Sequence, residues 1–166
     1  MNETPAIQPT PIDASIFKSY DVRGVYPSTL NEMVAEKIGA ATAEYLHAKK
    51  LGVGRDMRES SSPLAQAIIR GITSRGCDVV EFGLISTDML YFGVGSLELD
   101  GGIMITASHN PGKDNGLKFC GKNAFPIALG TGLEKIRDIA LQGNISSTPS
   151  KGNIQMFDLM PSYREK

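Results

Sequence analysis

Short apolar runs alternate with helix-periodic stretches along this chain, and that alternation leaves few folds open. Leu51-Gly-Val-Gly-Arg-Asp56, Gly76-Cys-Asp-Val-Val-Glu-Phe82 and Gly102-Ile-Met-Ile-Thr106 are each short and apolar and read as strands. Ser60-Ser-Ser-Pro63 supplies a cap and a first-turn proline for a helix running to about Ser74, and Thr87 caps a helix through Val94. Ahead of the first strand, Met33, Val34, Ile38, Ala41, Tyr45 and Leu46 recur at helical spacing between Asn31 and about Lys49, with Ser28 or Thr29 as candidate caps. Strand followed by helix, repeated, predicts an α/β fold: a three-layer α/β/α domain with a mixed, mainly parallel sheet.

The remaining elements extend this frame. Ile16-Phe-Lys-Ser-Tyr-Asp-Val-Arg-Gly24 reads as an extended segment entering a turn, and Gly116-Leu-Lys-Phe-Cys120 as a fourth strand near the sheet edge. A helix from Leu129 to Leu141 is expected to complete the sheet. Residues 1–15 are polar and proline-rich and are expected to be disordered, residues 16–142 form the domain, and residues 143–166 read as a linker and the start of a truncated second domain.

With 17 basic and 18 acidic residues and a net charge of -1, the chain lacks the electrostatic footprint of a nucleic-acid binder. The start of the sequence has neither a basic region nor an apolar core of a signal peptide, and no apolar run is long enough to span a bilayer, so no membrane partner and a cytoplasmic location are expected. Cys77 and Cys120 are far apart and outside any metal-ligand spacing, which makes them reduced core thiols.

Chemistry concentrates after the third strand, in Gly102-Ile-Met-Ile-Thr-Ala-Ser-His-Asn-Pro-Gly-Lys-Asp-Asn-Gly-Leu-Lys118. In open α/β sheets ligands gather beyond the carboxyl ends of strands, and Ser108 lies just past one. Asn110-Pro111-Gly112 and Asp114-Asn115-Gly116 force tight turns that aim backbone N–H groups at one point, which suits phosphate; composition alone leaves Ser108 either a nucleophile or a turn-shaping residue. His109 is badly placed to deprotonate its neighbour, and no G-x-S-x-G elbow surrounds the serine, so a serine hydrolase is disfavoured. Arg23, Arg55, Arg58 and Lys118 fall near strand ends or turns, where cations can converge on a phosphoryl group or simply be solvated. Tyr20 is either a half-buried aromatic or a ligand contact. Asp56 reads as half of a structural ion pair with its neighbouring arginines, and His47 as a solvent-facing residue at a helix end. Neither glycine-rich nucleotide motif occurs.

Taken as a block, Ile105-Thr-Ala-Ser-His-Asn-Pro111 followed by Asn115-Gly-Leu-Lys118 resembles the phosphoserine loop of the α-D-phosphohexomutase family, the phosphomannomutases and phosphoglucomutases. Tyr20-Asp-Val-Arg-Gly24, Gly54-Arg-Asp-Met-Arg-Glu-Ser-Ser61 and Gly83-Leu-Ile-Ser-Thr-Asp88 agree in order, so the resemblance spans roughly 16–166. It implies that Ser108 carries a phosphate and exchanges it with a hexose phosphate through a bisphosphate, interconverting mannose or glucose 1- and 6-phosphates. It further implies that the phosphate on Ser108 is one ligand of Mg²⁺, that His109 and Lys118 line the transfer site, and that Tyr20 and Arg23 approach the substrate; which group moves the proton stays open. Family chains are about three times as long and have four domains, so the remaining domains of the same chain are expected partners and the 166 residues alone are expected to be inactive. Asp114, where a tyrosine is more usual, is reminiscent of the phosphoglucosamine mutase branch. The segment ending at Phe92 and Cys120-Gly-Lys-Asn-Ala-Phe-Pro126 look more like phosphomannomutases. A phosphate-binding module without chemistry is the rival reading.

Overall fold

The structure, a computed structural model, describes residues 11–166. Strand β1 (Val22–Val25) is followed by α1 (Glu32–Tyr45), β2 (Lys50–Arg55), α2 (Ser61–Ser74), β3 (Asp78–Leu84), α3 (Thr87–Ser96), β4 (Gly101–Ile105) and β5 (Asp114–Gly121). After these come β6 (Pro126–Ile127), α4 (Leu133–Gln142), β7 (Ile154–Met156) and α5 (Met160–Arg164).

The strands form one sheet in the order β1-β5-β4-β2-β3-β7, with β6 also on β5. β2, β3, β4 and β7 pair in parallel, while β5 is antiparallel to β4, β1 and β6. β5 is therefore the one reversed strand among the described residues, and the sheet is mixed but mainly parallel. β5 is not the edge strand itself: β1 pairs its start and β6 its end.

Side-chain alternation along each strand separates two cores. Leu51, Val53, Val79, Ile103, Ile105, Leu117 and Phe119 pack with α1, α2 and α4; Val80, Phe82, Met104 and Cys120 face the other way, toward Leu90 and Val94 of α3. Helices thus cover both faces, giving the expected three layers. α1 and α2 pack tightly because Gly39 and Gly71 carry no Cβ: one at Gly39 would overlap the Ile68 carbonyl, and one at Gly71 that of Glu36. The two cysteines are free and buried on opposite faces, and burial pushes each thiol up to about 12, with Asp100 and Asp78 adding to the effect at Cys77.

Several boundaries differ from expectation for local reasons. Asn31, not Ser28 or Thr29, caps α1, its side chain accepting from the Val34 amide at 3.1 Å; Thr29 Oγ1 instead accepts from the Val25 amide and closes the preceding turn. α1 stops at Tyr45, short of Lys49, because His47 takes a left-handed φ of 46° and the Ala48 amide returns to the Ala43 carbonyl, as in a glycine-type helix stop. Ser86 rather than Thr87 caps α3, accepting from the Met89 amide at 3.3 Å. α4 starts at Leu133, not Leu129, since Gly130 (φ 86°) and Gly132 (φ 132°) turn the chain first.

The sheet is not complete at α4. Ile154–Met156 adds β7 beside β3, and the approach to it is tied down by the amides of Thr148, bonded to Ser74 O, and Gly152, bonded to Thr73 O. Most of the proline-rich start lies outside the described residues. Its described end is packed rather than loose: Ile12 is buried and Asp13 caps a short 3₁₀ turn over Ala14–Ile16.

Candidate active site

The carboxyl ends of β2 and β4 lie side by side, with Arg55 opposite Ile105, and the loops that leave them build one cleft of about 700 Å³ lined by Asp56, Met57, Thr106, Ser108, Asn110 and Gly112 among others. Ile105 ends β4, the buried Thr106 and Ala107 follow, and the chain then emerges at Ser108 and His109, which are both exposed. Ser108 has φ 56°, a left-handed conformation that costs a residue with a Cβ. Its amide donates to Thr106 Oγ1 at 2.9 Å, while its own hydroxyl makes no hydrogen bond among the described residues. No hydrogen bond links Ser108 to His109 either, so the two form no nucleophile–base pair.

Arg58 braces this loop from beneath. Its side chain is 13% exposed, and its Nη1 donates to the carbonyls of Pro111 (2.8 Å) and Asp114 (3.0 Å). Nη2 donates to the carbonyls of Ser108 (3.0 Å) and Asn110 (2.7 Å), and Nε faces Asp56 Oδ2 at 3.3 Å. Of the five N–H groups of the guanidinium, four donate to carbonyls and the fifth lies on the Nε that faces Asp56 in the ion pair. Neither sequence reading of Arg58, a solvated charge or a phosphate ligand, fits a side chain turned onto the protein's own carbonyls and carboxylate.

Asp56 is the hub under Arg58. It pairs with the guanidinium as expected, and its Oδ1 accepts from the Ser61 hydroxyl at 2.5 Å and the Arg58 amide at 3.1 Å. Burial pushes this carboxyl up, but hydrogen bonds from Ser61, Thr106 and the Arg58 amide, with the charge of Arg58, together hold it below the usual aspartate value. Arg55 does not join the pair: its Nη1 donates to the Asp56 carbonyl at 3.3 Å. The far end of the loop is fixed by Asn115, wholly buried, whose Nδ2 donates to Ser60 Oγ (2.7 Å) and Ser61 Oγ (2.9 Å) at the start of α2.

A second group gathers on the sheet face that α3 leaves uncovered beside β5. Arg23 is opposite Gly116 and Lys118 is opposite Met104, whose side chain belongs to the α3 side, so both cations project to that face. Asp21 joins them: its Oδ2 lies 2.9 Å from Arg23 Nε and 3.4 Å from Lys118 Nζ. Arg23 Nη1 is buried and has no hydrogen-bond partner among the described residues. Tyr20, 79% exposed, precedes β1 and makes no side-chain hydrogen bond among the described residues. Of the predicted site residues, Arg23 and Lys118 are thus brought together, Ser108 and His109 share the loop tip, and nothing ties Tyr20 to either group. Asp21, Asn115 and the clamping role of Arg58 escaped the sequence reading; the one available signal for the clamp was Asp56 two residues before Arg58, the spacing of a side-chain turn.

An α/β/α domain that displays an unbonded serine on a braced turn beyond a strand end, and that gathers two cations on one sheet face, is of the phosphoryl-handling class. Residues 14–144 match the phosphoglucomutase/phosphomannomutase alpha/beta/alpha domain I, and the chain belongs to that family. It is 39% identical over 149 residues to a phosphomannomutase of Escherichia coli, covering 89% of this chain and 33% of that protein. It is equally identical, over 149 residues, to a phosphomannomutase of Klebsiella pneumoniae, of which it covers 95%. A crystal structure of a phosphoglucomutase/phosphomannomutase family protein from Burkholderia thailandensis superposes with a TM-score of 0.84 at 30% identity, over 93% of this chain and 35% of that one. The chain therefore spans about a third of the length of the Escherichia coli relative.

Proposed function

We propose that this chain is the phosphoserine-bearing domain of a phosphomannomutase/phosphoglucomutase, an isomerase that interconverts hexose 1-phosphate and hexose 6-phosphate. Ser108 carries the reading: it is an exposed, unbonded hydroxyl on a loop whose polar backbone is fixed from below. A phosphorylated Ser108 gives its phosphoryl group to a hexose phosphate: the serine O–P bond breaks, a sugar O–P bond forms, and the sugar hydroxyl proton ends on the serine oxygen. The bisphosphate then returns its other phosphoryl group by the reverse bond changes. Such transfers depend on positioning and charge neutralisation more than on covalent chemistry, which suits fixed donors and nearby cations.

Lys118 and Arg23 are the cations proposed to face the sugar phosphate, with Arg23 Nη1 a buried donor still lacking an acceptor. His109 is proposed at the transfer site and Tyr20 at the substrate entrance. For Mg²⁺, no group of three or more His, Cys, Asp or Glu capable of holding a metal occurs among the described residues. Asp56 is already taken by Arg58 and Ser61. This chain would therefore contribute only a phosphate oxygen on Ser108 to the coordination of the ion. Mannose or glucose phosphates, a cytoplasmic setting and partner domains on the same polypeptide complete the proposal; among the described residues no helix is long and apolar enough to cross a membrane. The 166 residues alone are proposed not to turn over hexose phosphates, and robust mutase activity from them would refute that.

Incubating the full-length protein with glucose 1,6-bisphosphate and mapping phosphate by mass spectrometry tests the reading. Label confined to Ser108 and lost in Ser108→Ala supports it. Tight binding without label indicates a phosphate-binding module, and acylation of Ser108 by a serine-directed probe indicates a hydrolase.

A further inference from the structure

We propose that Arg58 is the positioning residue of the phosphoryl-carrying loop, turning the amides of His109 and Gly112 outward as donors to a phosphate on Ser108. This inference rests on the mutase reading above and adds to it the device that shapes the acceptor site.

Peptide units are planar and trans, so when one carbonyl points inward the next N–H points outward. Arg58 draws in the carbonyls of Ser108 and Pro111. The N–H groups of His109 and Gly112 are therefore directed away from the guanidinium, and both residues are exposed. Neither amide donates to an acceptor among the described residues, whereas the amides of Asn110 and Asp114, in the same loop, are bonded internally to Ala107 and Pro111. Two unbonded, outward-facing donors that follow a serine in the left-handed region, one and four residues on, supply the kind of backbone N–H array that takes an anion. The carbonyls of Asn110 and Asp114, held by the same fork, keep the loop from relaxing back over it.

A lysine cannot replace this arrangement. It offers three donors from one point rather than five from a planar fork, so it cannot meet four carbonyls and Asp56 together. Arg58→Lys keeps the charge next to Asp56 and loses the shape, which separates electrostatic support from positioning.

The test is the rate at which Ser108 in the full-length protein takes phosphate from glucose 1,6-bisphosphate, followed by rapid quench and intact mass. Arg58→Lys is expected to keep a native near-UV circular dichroism spectrum, and to lose about 100-fold in the maximal labelling rate, the scale associated with ångström-level misplacement. The bisphosphate concentration giving half-maximal labelling should stay within about threefold of wild type, since the sugar-facing cations are untouched. Labelling of Arg58→Lys at the wild-type rate overturns the inference while leaving the mutase reading standing; a wild-type protein that takes no label on Ser108 removes the mutase reading first. A measurement on the unaltered protein gives a second, independent decision. On phosphorylation of Ser108 the amide proton resonances of His109 and Gly112 should move downfield and exchange more slowly, and unchanged resonances would overturn the assignment.

Discussion

Asp21 and Lys118 are 97 residues apart in sequence, yet Asp21 Oδ2 lies 3.4 Å from Lys118 Nζ and 2.9 Å from the Nε of Arg23. One carboxylate oxygen therefore ties the start of β1 to the middle of β5 and holds both cations proposed to meet the sugar phosphate. Asp21→Asn preserves the shape and removes the charge. It should lower stability by about 1.5–3 kcal/mol, the range for hydrogen bonds to charged groups, read as a lower urea midpoint with an unchanged m-value. An unaltered midpoint would show that the three groups are independently solvated.

Gly116 faces the same cluster. A Cβ there would overlap the Val22 carbonyl and crowd Thr106 O and Arg23 Cδ, each at 2.9 Å, whereas a Cβ at Gly112 meets nothing within 4 Å. Gly116→Ala should therefore cost about 1–3 kcal/mol, as overpacking does, while Gly112→Ala stays within about 0.5 kcal/mol of wild type. Paired thermal melts decide it, and equal losses at the two positions would contradict the packing described here.

The layered fold was legible because it depends on local pattern: the short apolar runs at Leu51–Asp56 and Gly102–Thr106 and the 3.6-period stretch after Asn31 each report their own burial. The loop was legible as a motif and its serine as an exposed strand-end group. What stayed hidden depends on contacts distant in sequence. Arg58 reaches carbonyls 50 to 56 residues away, and Asn115 reaches hydroxyls 54 and 55 residues away. No periodicity encodes a backbone carbonyl as a partner, so a buried clamp and a solvated arginine look alike in one sequence. β7 was missed for a related reason: three exposed residues, Ile154, Gln155 and Met156, carry no alternation that marks a buried face.

Acid should loosen the loop through Asp56. Its folded-state value lies below the usual 3.8, so it contributes stability that is complete above the unfolded value and lost as pH falls through the lower folded one. Wild-type urea midpoints should therefore decline as pH drops below about 4, the usual aspartate value. In Asp56→Asn part of that decline disappears, because the group no longer titrates, although the variant starts lower with Arg58 unpaired. Identical pH slopes for the two proteins would show that Asp56 contributes nothing to acid sensitivity.

Ser108 combines exposure with φ 56°, and both follow from the same loop: the chain turns left-handed to bring the side chain out past the strand end. Left-handed backbone costs an L-residue about 1–2 kcal/mol, and alanine, which has a Cβ but no hydroxyl, bears that cost without relief. Glycine bears none of it but loses about 0.5–1 kcal/mol through its freer unfolded chain. Ser108→Gly should accordingly be more stable than Ser108→Ala by up to about 1 kcal/mol, measured by parallel urea unfolding, and neither should accept phosphate from glucose 1,6-bisphosphate. If alanine proves the more stable of the two, the loop has relaxed out of the left-handed region, and the serine needs no strained turn to be displayed.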